Sequence, residues 1–174
     1  MIDLNSFPIF KSCQTSLKNT SIDSNNGMYL IDNEKVVVDF DEVKTRYLKS
    51  LKLRNHYASS VDALFVKSEK LVFIEFKNGN FNNNEIKAKI KDSLLIFSDI
   101  TKITISELRE NAAFILVISN ESYGKLRPQD KKALAMARNA SVDFAIYGLD
   151  YIRRYLFERV DCLSAEAFNN WMKK

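Results

Sequence analysis

A carboxylate and an ammonium group stand two positions apart in the segment LVFIEFKNG, residues 71–79. Side chains alternate between the two faces of a β-strand, so Glu75 and Lys77 point to the same face. An ionised carboxylate is costly to bury unless it is paired or binds a metal ion. The segment therefore predicts either a structural ion pair where a buried strand ends or a site that performs chemistry.

A second carboxylate, Asp62, stands at the start of the preceding apolar segment, VDALFV. The residues KSEK between the two segments predict a tight turn, and hence a β-hairpin. In an antiparallel hairpin the start of the first strand lies beside the end of the second, which brings Asp62 to Glu75. The carboxylates, with the backbone carbonyl of Phe76, suit a hard divalent cation such as Mg²⁺. Such an ion can activate water against a phosphodiester, with Lys77 orienting that water or stabilising charge on phosphorus.

The elements around these residues alternate between helices and strands. A helix is predicted from Phe40, where Asp39 would cap it, and a longer helix is predicted after an N-cap at one of Asn82 to Asn84. The buried face of the longer helix is expected to contain Ile86, Ile90, Leu94 and Phe97. The further predicted elements are strands at 61–66, 71–77, 112–119 and 142–149, and helices at 127–140, 150–160 and 164–174. This order predicts an α/β fold with a mixed central β-sheet flanked by helices.

The chain has 174 residues, of which 46% are hydrophobic, enough to form one domain with a single core. Residues 1–35 are polar and predict a loosely organised N-terminal segment, with a short strand near Met28 to Ile31. Residues 151–174 are expected to form C-terminal helices. The single domain is therefore predicted to span residues 1–174.

The residue counts exclude several classes of protein. Cys13 and Cys162 are too few for a disulfide framework, and the single His56 argues against a zinc site or a Ser-His triad. The chain contains neither a signal-peptide pattern nor an apolar run long enough to cross a bilayer. These features predict a soluble, cytoplasmic protein that does not associate with membranes.

Asp62, a gap of 12 residues, and then Glu75, Phe76 and Lys77 resemble the D…(D/E)xK signature of the PD-(D/E)xK, or restriction-endonuclease-like, nucleases. The resemblance covers residues 36–150 as an order of elements. It implies a restriction-endonuclease-like core, Mg²⁺ or Mn²⁺ as cofactor, and hydrolysis of phosphodiester bonds. Asp62, Glu75 and Lys77 would be the catalytic residues, the two carboxylates as metal ligands and Lys77 as the catalytic lysine.

Two features depart from the pattern of this family. Val61 stands where many members have a proline before the first motif residue. Many members also have a glutamate on the helix before the first strand, and Glu42 is the candidate for this additional metal ligand. Glu42 lies opposite the predicted apolar face of its helix, so a capping-box role with Asp39 is an alternative. Asp39 is a second candidate for the acidic position.

The net charge of +4 and a pI near 9.0 suit a polyanionic partner. Lys87 and Lys91, on the exposed face of the longer helix, and Lys131 and Lys132, in a basic segment, are candidate nucleic-acid contacts. Lys89 is a further candidate beside them. The alternative for each is an ordinary solvated surface.

The leading hypothesis is a metal-dependent nuclease, with DNA favoured over RNA as the substrate. The rival hypothesis is a catalytically inactive protein of the same fold that acts as a binding, immunity or regulatory factor. A homodimer and a protein partner are both left open; Trp171, in the last predicted helix, would be a core residue or a partner contact.

Overall fold

The computed structural model describes residues 2–23, 27–79, 81–125 and 150–173. In these ranges the strands β1 to β8 are Gln14–Ser16, Ile22–Asp23, Met28–Tyr29, Val36–Asp39, Ala63–Lys67, Lys70–Lys77, Ala112–Ile118 and Arg159–Ser164. The helices α1 to α8 are Pro8–Ser12, Leu17–Thr20, Phe40–Ser50, Asn83–Thr101, Ile105–Asn111, Asn120–Gly124, Asp150–Tyr155 and Ala165–Met172. Short 3₁₀ turns occupy Leu4–Ser6 and Asn55–Tyr57.

Six of these strands form one mixed sheet in the order β1-β4-β5-β6-β7-β8. The pairs β1–β4, β4–β5 and β5–β6 are antiparallel, whereas the pairs β6–β7 and β7–β8 are parallel. Strands β2 and β3 pair separately as a small hairpin. Helices pack on both faces of the six-stranded sheet, so the predicted α/β class with a mixed central sheet is confirmed.

The predicted hairpin is formed by β5 and β6, with Lys67 opposite Lys70. Ser68 and Glu69 connect the strands with φ values of 49° and 67°. Two successive residues with positive φ are typical of the two-residue turns whose twist matches that of a hairpin. The register of the hairpin is therefore set at the turn and continues to its open end.

The side chains of β6 divide between the two faces as the alternation predicts. Leu71 and Phe73 pack on the face covered by α1, α3 and α4, where Phe73 contacts Phe97 edge to face. Val72 and Ile74 pack on the opposite face with α8. Because Glu75 follows the parity of Phe73, it is directed toward α4.

Helix α4 begins after Asn82, whose side chain accepts a hydrogen bond from the N–H of Asn84, as an N-cap does. The predicted core face of this helix is confirmed, since all four of its apolar residues are buried: Ile86, Ile90, Leu94 and Phe97. Lys89, in the second turn of this helix, contacts Glu75, so the start of the helix lies near the end of β6. Asp39 caps α3 in the same way, by accepting from the N–H of Glu42.

The N-terminal segment is more regular than its polar composition predicted. It contributes α1, α2 and the edge strand β1, whose residues pair with β4 in the main sheet. Phe10 of α1 is fully buried and stacks on Phe97 at a centroid distance of 5.5 Å. The predicted strand near Met28 is present as Met28–Tyr29.

The predicted helix over residues 150–160 is wrong in its second half. Helix α7 ends at Tyr155, and Arg159–Ser164 forms β8, so the C-terminal region is not made of helices alone. Parallel pairing along β7 places Val160 opposite Phe114 and Leu163 opposite Val117. The hydrogen bonds of this pairing override the local helical pattern.

The predicted helix at 127–140 and strand at 142–149 lie outside the described residues, as do Lys131 and Lys132. Across the four described ranges, no helix combines the length and the apolar character that crossing a bilayer would require.

Candidate metal centre

The open end of the β5–β6 hairpin brings Asp62 and Glu75 together. Asp62 directly precedes β5, and its backbone N–H donates to the carbonyl of Ile74 at 3.0 Å. Its side-chain Oδ2 accepts a hydrogen bond from the backbone N–H of Phe76 at 2.6 Å. The predicted convergence of Asp62 with the end of β6 is therefore confirmed.

The backbone of Asp62 is also bonded on its other side. Its carbonyl accepts from the N–H of Phe40, the first residue of α3, at 3.1 Å. The preceding residues are attached to α4, because the N–H of Ser59 donates to Asp92 at 2.8 Å and the N–H of Val61 donates to Ser93 at 2.9 Å. Asp62 is thus positioned by a strand and two helices at once.

Glu75 is fully buried, and its Oε1 accepts from two ammonium groups. Lys77 Nζ lies 2.9 Å from this oxygen, and Lys89 Nζ lies 2.7 Å from it. Lys89 Nζ also lies 3.3 Å from Asp62 Oδ1. Two carboxylates and two ammonium groups therefore form one connected network at the end of β6, and Glu75 and Lys77 share a face as predicted.

Lys89 contributes more to this site than a candidate surface contact would. Its side chain is only 23% exposed and points from α4 toward the carboxylates. A signal for this position was present in the sequence, because Lys89 precedes the buried Ser93 by four positions and the buried Ile96 by seven. Residues at these spacings share one face of a helix.

The electrostatic environment raises the pKa of all three central groups. Burial raises the pKa of Asp62 to about 8, and the neighbouring carboxylate of Glu75 adds to the effect. Burial likewise raises the pKa of Glu75, although Lys89 and Lys77 oppose the shift. Burial alone would lower the pKa of Lys89, but the carboxylates of Asp62 and Glu75 outweigh it and raise that pKa.

Glu75 Oε2 is buried, and within the described residues it has no hydrogen-bond partner. A buried carboxylate oxygen without a partner is costly, so a bound cation would satisfy it. The described ranges contain no cluster of three or more His, Cys, Asp or Glu side chains close enough to hold a metal. Mg²⁺ is commonly held by one or two carboxylates with water, and Asp62 and Glu75 fit that limited donor set.

The backbone carbonyl predicted as a further ligand belongs to Phe76. Its N–H points toward Asp62, and the N–H and C=O of one strand residue point to the same side. The carbonyl is therefore directed to the edge that Asp62 occupies. Its role as a ligand stays a prediction.

Glu42 is placed away from the network. Its side chain accepts a hydrogen bond from Arg46 Nε at 2.7 Å, one turn along α3. The neighbouring Asp41 instead accepts from the hydroxyl of Ser60, two residues before Asp62. After burial and the larger contribution of Glu75, the charge of Asp41 also raises the pKa of Asp62. Of the two acids on α3, Asp41 is thus the one hydrogen-bonded to the segment that leads into Asp62; it is 56% exposed and also lies 3.4 Å from Lys44 Nζ.

The two remaining lysine candidates on α4 have different surroundings. Lys87 is half-buried, with its Nζ 5.6 Å from the ring centroid of Tyr151 in α7. Lys91 is exposed. Both lie within two residues of Lys89 along the helix, and their contact with nucleic acid stays a prediction.

Comparison of the chain with protein families, with curated proteins and with solved structures finds no match.

Proposed function

We propose that this protein is a metal-dependent nuclease that hydrolyses phosphodiester bonds, with DNA favoured over RNA. The observation that carries the proposal is the convergence of Asp62, Glu75 and Lys77 at the end of β6, where one oxygen of the buried Glu75 has no hydrogen-bond partner among the described residues. This is the arrangement implied by the resemblance to the PD-(D/E)xK nucleases. The mixed sheet with helices on both faces is compatible with a restriction-endonuclease-like core.

The residues divide the chemistry among them. Asp62 and Glu75 would bind Mg²⁺ or Mn²⁺, and the Phe76 carbonyl is the candidate third donor. A bound divalent ion supplies a polarised phosphodiester oxygen and a water of lowered pKa. Lys77, held 2.9 Å from Glu75 Oε1, would orient the attacking water or stabilise negative charge on the phosphoryl group.

The rival hypothesis, an inactive binding or regulatory protein, is favoured by a different observation. Lys89 already contacts both carboxylates, at 2.7 Å from Glu75 and 3.3 Å from Asp62, and Lys77 supplies a second positive charge beside Glu75. A buried ion-pair network of this kind can be purely structural and needs no metal. The two hypotheses differ in whether the purified protein cleaves nucleic acid.

The test is cleavage of labelled single-stranded DNA, duplex DNA and RNA in Mg²⁺, in Mn²⁺ and in EDTA. The wild type is expected to cut in metal but not in EDTA, and Glu75→Gln and Lys77→Met are each expected to lower the rate by about 100-fold or more. Glu69→Gln, in the exposed turn of the same hairpin, and Lys49→Met, on the exposed side of α3, are the matched controls. Intact substrate in every lane, or undiminished cleavage by both site variants, would contradict the proposal.

A further inference from the structure

The ammonium group of Lys89 lies at the point where the two carboxylates converge. It is 2.7 Å from Glu75 Oε1 and 3.3 Å from Asp62 Oδ1. These carboxylates are the donors that the proposed function assigns to a divalent ion. A lysine from α4 and a metal ion would therefore compete for the same two carboxylates.

The charges of the site show that Lys89 and a divalent ion cannot easily be bound together. Asp62 and Glu75 together carry at most two negative charges, and the ammonium groups of Lys77 and Lys89 already bring two positive charges against them. A divalent ion added to this network would bring two further positive charges that no carboxylate compensates. The side chain of Glu75 in this site is fully buried. Repulsion between cations at such short range is strong because little water screens it.

We propose that Lys89 occupies the metal position in the metal-free protein and must be displaced before a divalent ion can bind. The inference rests on the proposed function, since it concerns the same site. Lys89 has a flexible four-carbon stem and a side chain that is 23% exposed, so the side chain can move toward solvent. Once displaced, it stands beside the metal position as a cation available to an anionic phosphodiester oxygen.

The chain contains a matched control for this arrangement. Lys18 also lies between two carboxylates, with its Nζ 2.7 Å from Asp32 and 3.9 Å from Glu34. Those carboxylates are 86% and 73% exposed, whereas Glu75 is buried. Replacing Lys18 removes the same charge from a similar contact without affecting the candidate metal centre.

The first experiment is calorimetric titration of Mn²⁺ into the full-length wild type, Lys89→Met and Lys18→Met. Lys89→Met is expected to bind Mn²⁺ at least about tenfold more tightly than the wild type, and Lys18→Met is expected to match the wild type. The melting temperature gives a second measurement, with a larger rise on adding Mn²⁺ for Lys89→Met than for the wild type.

The outcomes separate this inference from the proposed function. Equal or weaker Mn²⁺ binding by folded Lys89→Met, with binding by the wild type, overturns the inference and leaves the nuclease proposal standing. Binding by Lys89→Met alone supports the inference and contradicts the proposal of a native metal enzyme. Absence of binding by every folded protein overturns both.

A measurement on the wild type keeps the inference testable if Lys89→Met does not fold. Nuclear magnetic resonance of lysine ammonium groups is expected to show a slowly exchanging Lys89 signal in EDTA, assigned by its absence in Lys89→Arg. Addition of Mg²⁺ is expected to shift that signal or remove it through faster exchange with water. A signal that does not change at saturating Mg²⁺ would overturn the inference.

Discussion

Glu75 is fully buried and lies beside two ammonium groups, those of Lys77 and Lys89. One oxygen of the carboxylate receives both Lys77 and Lys89, while the other has no hydrogen-bond partner within the described residues. Removal of one partner from a buried ion pair is strongly destabilising, because the remaining charge stays buried. The individual charges of this network are therefore expected to affect stability as well as metal binding.

The raised pKa of Asp62 predicts a pH dependence of stability in the metal-free protein. Between about pH 4 and pH 8 the folded protein holds a proton on Asp62 that the unfolded chain has released. The contribution of Asp62 to the free energy of unfolding is therefore fully present below about pH 4 and is lost as pH rises through about 8. In urea unfolding in EDTA, Asp62→Asn should gain about 1–3 kcal/mol relative to the wild type between pH 5 and pH 8.

Asp99→Asn is the control for this pH series. Hydrogen bonds from Lys102 and Tyr47 lower the pKa of Asp99, so its contribution to stability is already complete above pH 5. The difference in unfolding free energy between Asp99→Asn and the wild type should stay constant from pH 5 to pH 8. A constant difference for Asp62→Asn as well would contradict a raised pKa at Asp62.

The orientation of helix α3 determines which of its two adjacent acids, Asp41 or Glu42, faces the segment before Asp62. Val43 and Leu48 lie on its buried face, and Asp41 precedes Leu48 by seven positions, which places both on nearly the same side. Glu42 is rotated away by about 100° from Asp41 and pairs with Arg46 instead. The orientation of the helix, rather than the identity of the acid, determines the electrostatic contact with Asp62.

Asp41→Asn is accordingly predicted to weaken Mn²⁺ binding by about tenfold, because the negative charge of Asp41 favours a cation near Asp62. Glu42→Gln is the matched variant one position along the same helix. It removes only a half-exposed pair with Arg46, so no change in Mn²⁺ affinity is expected beyond the error of calorimetry. A larger loss of Mn²⁺ affinity in Glu42→Gln than in Asp41→Asn would show that Glu42, and not Asp41, supports metal binding.

At the scale of the whole molecule, the N-terminal segment supports the helices that carry the site. Phe10 of α1 stacks on Phe97 of α4 at 5.5 Å and lies 6.4 Å from Phe40 of α3, between ring centroids. Lys89 belongs to α4, and the N–H of Phe40 holds the carbonyl of Asp62. The packing of α1 therefore links the two helices that border the site.

Phe10→Ala is predicted to lower the free energy of unfolding by about 3–5 kcal/mol, since Phe10 is fully buried. For a domain of this size the melting temperature should fall by about 10 °C. Scanning calorimetry measures both proteins, with Tyr29→Ala, at a position 47% exposed, as a control of smaller effect. A melting temperature equal to that of the wild type would mean that the N-terminal segment is dispensable for the core.

Those parts of the site that depend on short-range rules were predicted from the sequence. Glu75 and Lys77 share a face because alternation is a property of any strand, and Asp62 reaches them because a two-residue turn sets the register of the hairpin. The apolar face of α4 follows from helical periodicity in the same way. Each of these features requires only local geometry and a pattern of apolar residues.

The sequence by itself therefore determined the α/β class, the hairpin and the three motif residues at its open end. Only the tertiary structure decided that Lys89 faces the carboxylates, that Asp41 rather than Glu42 contacts the segment before Asp62, and that β1, β4 and β8 belong to the sheet. These features depend on how α3 and α4 are rotated over the sheet and on hydrogen bonds between strands far apart in the chain. Such choices are set by packing and pairing across the whole domain, which local propensity does not encode.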